Sequence, residues 1–593
     1  MGFKFAKQYF LESNERYIAL LLLLGIVFSV VGLVGLTSLF ASWSVGFWAA
    51  ITEMSMPLYM ASIQTFVLLT ASYIGVSVLK DYLVGILTVS WRSWLTQHLL
   101  DKYTATDGNN YLDLERHDAE IDNPAQRIQF SVKKFVEQTL LLSTDFLQSF
   151  LTMGTFIANL WVIGGSLTFV LVGASITIPG YLVWVAILFA VVATGLTQLI
   201  GNSLANLAND QEGMEADFRS DMELMHEGAE SIAQDRGEVY YRQSLAKKFQ
   251  VICKNAYEII KVKIQLTAFN SFYQQISSIF PYVVAAPLYF ARQIPLGQLM
   301  QIGFAFSQIQ SALNWFSNSY ENIASYNASL QRITELDNAL QEDGLPTSPR
   351  SIVVRQSQVD DLTVRNLNIT YPSSTNYLMR ELNLSFVRGQ NTLIKAASGL
   401  GKSTLFKVMA GIWKYGDGDI EISDSKKLCF LPQRPSLPND TLKAVLAYPD
   451  PVETYSDEEY EQVLHDIGNM DAFIAQLNTK KAWSKSLSGG QQQRISFARA
   501  LLKKPDWLFL DEATAALDNE SERHMYTLIK NKLRGTTFVS IAHRETVDEF
   551  HDRIVTFEAD ESRKIHTRNS FFARNTRVSD DISMEESAPC YAS

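Results

Sequence analysis

Long stretches without any charge alternate with stretches dense in charge, and this contrast predicts the elements of the chain. Asp, Glu, Lys and Arg are absent from Tyr17 to Thr52, Met54 to Leu79, Phe146 to Asn209, Leu266 to Ala291 and Gln293 to Tyr320. A helix crosses the hydrocarbon with about 20 residues, so the 64-residue gap from Phe146 holds two crossings, folded at GASITIPG (173–180). The pattern predicts six spans, near 18–42, 55–79, 146–171, 181–204, 266–290 and 297–320. Six such helices in the first 320 residues leave too little polar surface for a soluble fold. The first run is too long for a cleaved signal peptide, its start carries both signs of charge, and no small-residue cleavage site closes it.

The segments between the spans read differently. Residues 80–145 and 205–265 are long and polar, and apolar positions recur at helical spacing through GEVYYRQSLAKKFQVICKNAYEIIKVKIQL. They are expected to be helices projecting beyond the bilayer, able to reach a soluble domain. ENIASYNASLQRITELDNALQE (321–342) continues the last span, and PTSPR (346–350) then breaks the chain. This places a permease domain at 1–345 and a soluble domain at 346–573, with a polar, acidic tail at 574–593 that is expected to be disordered.

Beyond the break the period changes. LTVRNLNITYP (362–372) and NLSFVRGQNTLIKAA (383–397) read as strands, and the second runs into ASGLGKSTLFKVMAGIW, whose later part is helical. The expected fold class is therefore multi-domain: a six-helix, all-α transmembrane domain followed by an α/β P-loop nucleotide-binding domain.

Composition and charge refine this picture. The chain is 47% hydrophobic and 19% charged. Lys and Arg are scarce in the short connections at 43–54, 173–180 and 292–296 and frequent at the amino terminus and in the two long connections. Positive residues favour the cytoplasmic side, so both termini and the soluble domain are expected inside. A net charge of −11 argues against a nucleic-acid partner. Cys253, Cys429 and Cys590 are too far apart to suggest a metal or disulfide framework.

The candidate chemistry lies in the soluble half. Strand, glycine-rich loop and helix together form the context of a phosphate-binding loop. Gly399 and Gly401 let the loop from Ser398 to Thr404 curl its N–H groups toward phosphates at a helix amino terminus. Lys402 would reach the β- and γ-phosphates, and the Ser403 hydroxyl would ligate Mg2+. The first glycine of the usual pattern is Ala396 here, harmless if its φ is negative and strained if positive. Restoring glycine there is expected to raise activity modestly. WLFLDE (507–512) ends in two carboxylates: Asp511 fits a water-mediated Mg2+ ligand and Glu512 the base that polarises the attacking water. LSGGQ places Ser488, Gly489, Gly490 and Gln491 at the head of a second helix, another anion-binding surface. Gln433, in FLPQRP, can sense the metal and the water, and His543, in FVSIAHR, can hold the γ-phosphate.

Together these motifs resemble those of the ATP-binding cassette family over roughly 355–560. ASGLGKST is similar to its Walker A motif, LSGGQ matches its signature, and LFLDE is similar to its Walker B. AALD (515–518) resembles the D-loop and IAHR the switch-histidine motif, while Tyr371 falls where the family stacks an aromatic on adenine. Ala396 departs from the family pattern, and Ala515 replaces a commoner serine. In the membrane half, WRSWLTQHLL (91–100), DNPAQRIQF (122–130), IPGYLVW (178–184), EADFR (215–219) and LGQLMQIGFAFSQIQSALNWF (296–316) resemble one subgroup. It fuses permease and ATPase and contains bacterial peptide and cobalamin uptake transporters and peroxisomal fatty-acyl transporters. Ala125 stands where that subgroup usually has Asp.

The resemblance implies an ATPase coupled to transport, with ATP and Mg2+ as cofactors and two equivalent sites shared between two copies of the chain. Its setting would be a multi-pass protein of the bacterial inner membrane. ATP would close the two halves and hydrolysis would let them separate, driving alternating access, with the projecting helices docked on the cassette near Gln433. Trp161, Trp184, Trp315, Asn159, Gln198, Gln308 and Asn314 are candidates to line a cavity for a bulky or amphipathic solute. The alternative is a membrane-anchored ATPase that regulates a channel or other partner without moving solute.

Overall fold

The computed structural model describes residues 2–105, 111–112, 114, 123–164, 166–171, 174–340, 352–356, 360–372, 376–422, 428–560 and 562–571. The chain divides into two compact units at about position 345. The break expected at 346–350 and the tail at 574–593 lie outside the described residues.

The first unit is helical where the charge gaps lie. Its helices are α1 (Gly2–Lys7), α2 (Arg16–Thr52), α3 (Met56–Tyr103), α4 (Val132–Ile163), α5 (Tyr181–Glu227), α6 (Glu238–Phe290), α7 (Leu296–Asn318) and α8 (Tyr320–Ala339). Helices α3, α5 and α6 run well past the predicted spans into the polar segments. Among the described residues, four helices are apolar and long enough to cross a membrane: Arg16–Thr52, Met56–Tyr103, Pro124–Ile163 and Tyr181–Glu227. The fifth and sixth predicted spans are also helical, in α6 and α7, but carry Gln, Ser and Asn along their length. Packing accounts for part of this in α7, which lies against α2, α4, α5 and α6 and buries Ile302, Ala305, Phe306 and Ile309. Its Gly297 meets α2 so closely that a Cβ would fall 2.6 Å from the Val45 carbonyl oxygen.

One predicted boundary is corrected. The third span does not continue to 171; α4 ends at Ile163, with the Gly164 N–H donating to Leu160 O at 2.8 Å. Two antiparallel strands follow, β1 (Ser166–Leu171) and β2 (Ala174–Pro179), paired from Ser166 with Pro179 to Leu171 with Ala174. The Gly164-Gly165 pair weakens the helix, and the Thr-, Val- and Ile-rich sequence after it favours strands. Absence of charge reports an apolar surrounding, not a backbone conformation.

Away from the spans, an aromatic cluster gathers the amino terminus, α3, α4 and α8. Phe5, Tyr9, Trp91, Phe135, Ile333 and Leu336 are buried together, and Tyr9 stacks on Trp91 with ring centroids 5.8 Å apart. Beside it, the Asp337 carboxylate is only 1% exposed and accepts from Lys4 Nζ at 2.7 Å and Lys102 Nζ at 2.6 Å. Burial opposes its charge, but the two ammonium groups prevail and hold its pKa below the ordinary value of 3.8. A depressed carboxylate pKa contributes stability above its unfolded value and loses it as pH falls through the folded one. Asp337→Asn should therefore lower the unfolding free energy by about 1–3 kcal/mol at neutral pH, the exposed Lys4 contributing least. The deficit should shrink as denaturation is measured below pH 3.8.

The second unit is built on two sheets. Its strands are β3 (Ile352–Gln356), β4 (Leu362–Thr370), β5 (Tyr377–Phe386), β6 (Thr392–Ala396), β7 (Gly416–Ile422), β8 (Leu428–Leu431), a short pair β9 (Asp440–Thr441) and β10 (Lys480–Lys481), β11 (Trp507–Asp511), β12 (Thr537–Ile541), β13 (Arg553–Ala559) and β14 (Ile565–Phe571). The larger sheet runs β14-β13-β6-β12-β11-β8 and is parallel except for its β13–β14 edge; the smaller runs β3-β7-β4-β5. Successive side chains of a strand point to opposite faces. Trp507 and Phe509 of β11 accordingly enter the core shared with the smaller sheet, while Leu508 and Leu510 enter the core under the helices. Both faces are covered, so this strand reads as an unbroken apolar run.

Candidate functional site

The site assembles where β6, β11 and β12 end. Strand β6 leads through the glycine loop into α9 (Lys402–Met409). Gly399 has φ +80 and Gly401 φ +79, conformations that side-chain-bearing residues rarely adopt. A Cβ at Gly401 would also lie 2.9 Å from Leu378 of β5. Ala396 is the last residue of β6, paired with Phe557, and its φ is not positive. Alanine therefore causes no strain, and the gain expected from restoring glycine loses its physical basis. Ala396→Gly should leave ATP turnover within about twofold and reduce stability by about 0.5–1 kcal/mol, because glycine loses more freedom on folding.

Lys402 is buried, and its Nζ donates to the carbonyls of Ala396 at 2.8 Å and Ala397 at 3.2 Å, and lies 3.4 Å from His543 Nε2. Burial lowers its pKa, while Glu512 and Asp511 oppose the shift. Its cationic head is thus folded into the loop that would surround phosphates. Ser403 Oγ donates to Asp511 Oδ1 at 2.8 Å. Burial raises the Asp511 pKa, Ser403 counteracts it and Glu512 adds to it. A hydroxyl and a carboxylate in direct contact form the sparse oxygen set that Mg2+ takes, the remaining positions going to water and phosphate. The residues present fit that ion.

Glu512 follows β11 with φ +48, held by its N–H donating to Ile541 O at 3.0 Å. Strained backbone of this kind in a non-glycine residue is characteristic of functional sites. Its two oxygens are separately engaged: Oε2 accepts from Gln433 Nε2 at 3.0 Å, and Oε1 lies 3.2 Å from His543 Nε2. The structure thus joins Lys402, Ser403, Gln433, Asp511, Glu512 and His543 into one contiguous group. Tyr371 sits just past β4, half exposed; its neighbour Thr370 pairs with Tyr377, the residue before the Leu378 that covers Gly401. Ser398 and Gly399 are exposed on the loop, and Thr404 is half-buried at the start of α9.

The signature residues lie elsewhere in the unit. Ser488 caps α10 (Gly489–Lys503): its Oγ accepts from the Gln491 N–H at 3.3 Å, and its own N–H donates to Gln491 Oε1 at 2.9 Å. Gly490 rests against the Ala516 carbonyl, 3.1 Å from where its Cβ would be.

Three residues that sequence reading passed over tie these pieces together. Gln493, 4% exposed, donates to the Gln433 carbonyl at 3.2 Å and accepts from the Ala516 N–H at 2.9 Å. Arg544 donates to Leu517 O at 2.7 Å and, more loosely, to Ala515 O at 3.4 Å. Glu522, 2% exposed on α11 (Asn519–Lys532), accepts from Thr514 Oγ1 at 2.6 Å and Thr546 Oγ1 at 2.5 Å. Gln493 is the second residue after the signature pentapeptide, and Arg544 follows His543 directly. Those positions were the available hints. Glu522 had none, sitting among charged residues of an ordinary amphipathic helix.

Comparison with known proteins bears on this geometry. Residues 6–290 match the family described as ABC transporter transmembrane region 2, and residues 379–515 match the ABC transporter family. An uncharacterized ABC transporter ATP-binding protein of Synechocystis is 32% identical over 498 residues, covering 82% of this chain and 72% of that one. The inner membrane ABC transporter ATP-binding protein YddA of Escherichia coli is 28% identical over 93% of this chain and 96% of its own. The human lysosomal cobalamin transporter ABCD4 is 26% identical, over 80% of this chain and 81% of its own. The solved structure of a bacterial Atm1-family ABC exporter with ATP bound superposes with a TM-score of 0.71 at 17% identity, covering 93% of this chain and 95% of that one. The fold is that of such exporters.

Proposed function

The chain belongs to the ABC transporter family, with a membrane region and an ATPase domain in one polypeptide, and on that premise we propose that two copies form an ATP-driven pump for a bulky or amphipathic solute. The observation that carries this reading is the engagement of Glu512 by Gln433 on one oxygen and His543 on the other, beside the Ser403–Asp511 pair.

Those contacts suggest a division of labour. Glu512 is the general base that takes a proton from the attacking water, and Gln433 and His543 orient its carboxylate toward it. His543 and Lys402, already 3.4 Å apart, would then face the transferred phosphoryl group from the protein side. Ser403 and Asp511 would hold Mg2+, which supplies charge neutralisation on the phosphates. Ser488, Gly489, Gly490 and Gln491 would present N–H and side-chain groups to the nucleotide of the partner copy. The link from Gln493 to both Gln433 and Ala516 would report that engagement to the catalytic carboxylate. Helices α3, α5 and α6 would carry the motion to the spans of a bacterial inner-membrane protein, with both termini and the cassettes cytoplasmic. An amphipathic solute is supported by the relative named as a cobalamin transporter and by the uncharged polar residues of α6 and α7.

Sealed vesicles containing the purified chain test this reading. Two differently tagged copies should co-purify, and ATP hydrolysis should require both. A lone copy hydrolysing ATP at the full rate would overturn the shared-site reading.

A further inference from the structure

His543 meets Glu512 Oε1 and Lys402 Nζ through one ring nitrogen, and its side chain is 53% exposed. Packing does not confine a ring so open to solvent, so its place follows the backbone that carries it. That backbone leaves β12 at Ile541 and passes through the turn Glu545–Phe550 to His551. The turn is tied outward at Thr546, which donates to Glu522, and at Asp548, which accepts from Lys395 Nζ at 2.7 Å. The two ends of the segment are tied to each other. His551 Nε2 lies 2.8 Å from Ser540 Oγ of β12, and His551 Nδ1 lies 2.8 Å from Val547 O.

The partners fix the direction of these bonds. A carbonyl only accepts, so Nδ1 carries the proton and the bare Nε2 accepts from the Ser540 hydroxyl. Ser540 also bonds the Tyr526 hydroxyl, which bonds Thr514 as well. The surroundings are dry: His551 is 3% exposed and Ser540 is fully buried. Phe538 of β12 and Tyr526 of α11 stand edge-on to the imidazole, with centroids 5.2 and 5.7 Å away. Burial pushes the His551 pKa down to about 4, against the pull of Val547 O, Asp548 and Asp552, so the ring is neutral near pH 7. A hydrogen bond in such a place is strong, and leaving it half-made is costly.

We propose that His551 is a positioning residue for ATP hydrolysis: its bond to Ser540 closes the segment that carries His543 and so sets that ring between Glu512 and Lys402. The inference rests on the role given to His543 above and deepens it. A displacement of about 1 Å at a reacting group can cost about 100-fold in rate. Nucleotide binding depends on the phosphate loop, which this bond does not touch. The signature is therefore a loss in kcat with little change in KM.

Steady-state hydrolysis by the full chain in lipid vesicles tests it, with kcat referred to ATP-binding sites titrated in the same sample. His551→Leu fills the cleft without hydrogen bonds and should lower kcat about tenfold, with KM for ATP within about twofold of the parent. Ser540→Ala should do the same. A glutamine amide reaches about as far from the backbone as Nε2, whereas an asparagine amide reaches only as far as Nδ1. His551→Gln should therefore keep at least about half the parent kcat, and His551→Asn should fall with His551→Leu. Tyr526→Phe removes the other bond to Ser540 and should stay within about twofold of the parent. Parent kcat in Ser540→Ala or His551→Leu, with only a lower unfolding temperature, would reduce His551 to packing and overturn the proposal. So would equal activity of the Gln and Asn variants, a rise in KM that accounts for the whole loss, or a Tyr526→Phe loss as large as that of Ser540→Ala. His543→Ala separates the two readings: full turnover in that variant removes the role given to His543, whereas its loss beside unaffected His551 variants removes only this inference.

Discussion

Glu512→Gln is expected to bind nucleotide and assemble normally while releasing phosphate at least about 100-fold more slowly, the usual contribution of a general base. The replacement is nearly isosteric, and the amide oxygen can still accept from Gln433, which now lies 3.0 Å from Glu512 Oε2. The left-handed backbone at 512 costs glutamine what it costs glutamate, so stability should be little changed. What disappears is the capacity to take a proton and the negative charge 3.2 Å from His543. Nucleotide should accumulate as trapped ATP, measurable by filter retention beside phosphate release. Release at more than half the parent rate would assign the base to another residue.

The second large effect is structural. Glu522 lies in a nearly dry position, taking hydrogen bonds from Thr514, two residues after Glu512, and from Thr546, three after His543; Arg544 Nη1 is 3.8 Å away. One carboxylate thereby fixes the segments that leave the base and the switch histidine. Glu522→Ala leaves two hydroxyls and a cation without that acceptor and should destabilise the cassette by about 3–5 kcal/mol. For a unit of this size that corresponds to an unfolding midpoint about 10 °C lower. Glu522→Gln keeps the shape and one acceptor, the threonine hydroxyls can turn, and the loss should be only about 1–2 kcal/mol. Thermal unfolding of the full-length protein compares the two. If both variants melt within a degree or two of the parent, the Thr514–Glu522–Thr546 bridge contributes nothing to holding the site.

How much of this was legible in the sequence depends on the kind of information each feature carries. Charge-free runs report the solvent a segment prefers, so six long helices could be placed from them, α6 and α7 included. They could not report that backbone turns to strand after Gly164, because a strand and a helix in apolar surroundings lack charge alike. The phosphate loop was legible because its residues are consecutive. The structure adds that Gly399 and Gly401 have positive φ while Ala396 ends a strand without it.

Lys402, Ser403, Asp511, Glu512, Gln433 and His543 could be named because each stands at a strand end or beside a recognisable motif. Their pairings were not legible: Gln433 to Glu512 spans 79 residues and Ser403 to Asp511 spans 108. Gln493 and Glu522 look like ordinary helix residues until folding buries them, and Lys4 and Lys102 are unremarkable cations until Asp337 is placed between them.

By itself the sequence determined which segments seek lipid, which alternate as strands, and where a glycine loop meets a helix, since these follow from neighbouring residues and their preferred surroundings. Only the tertiary structure decided which single polar side chains meet across long stretches of chain, and so which carboxylates are held, buried or paired. A hydrogen bond depends on a few tenths of an ångström between atoms brought together by the whole fold, and no local spacing encodes that distance.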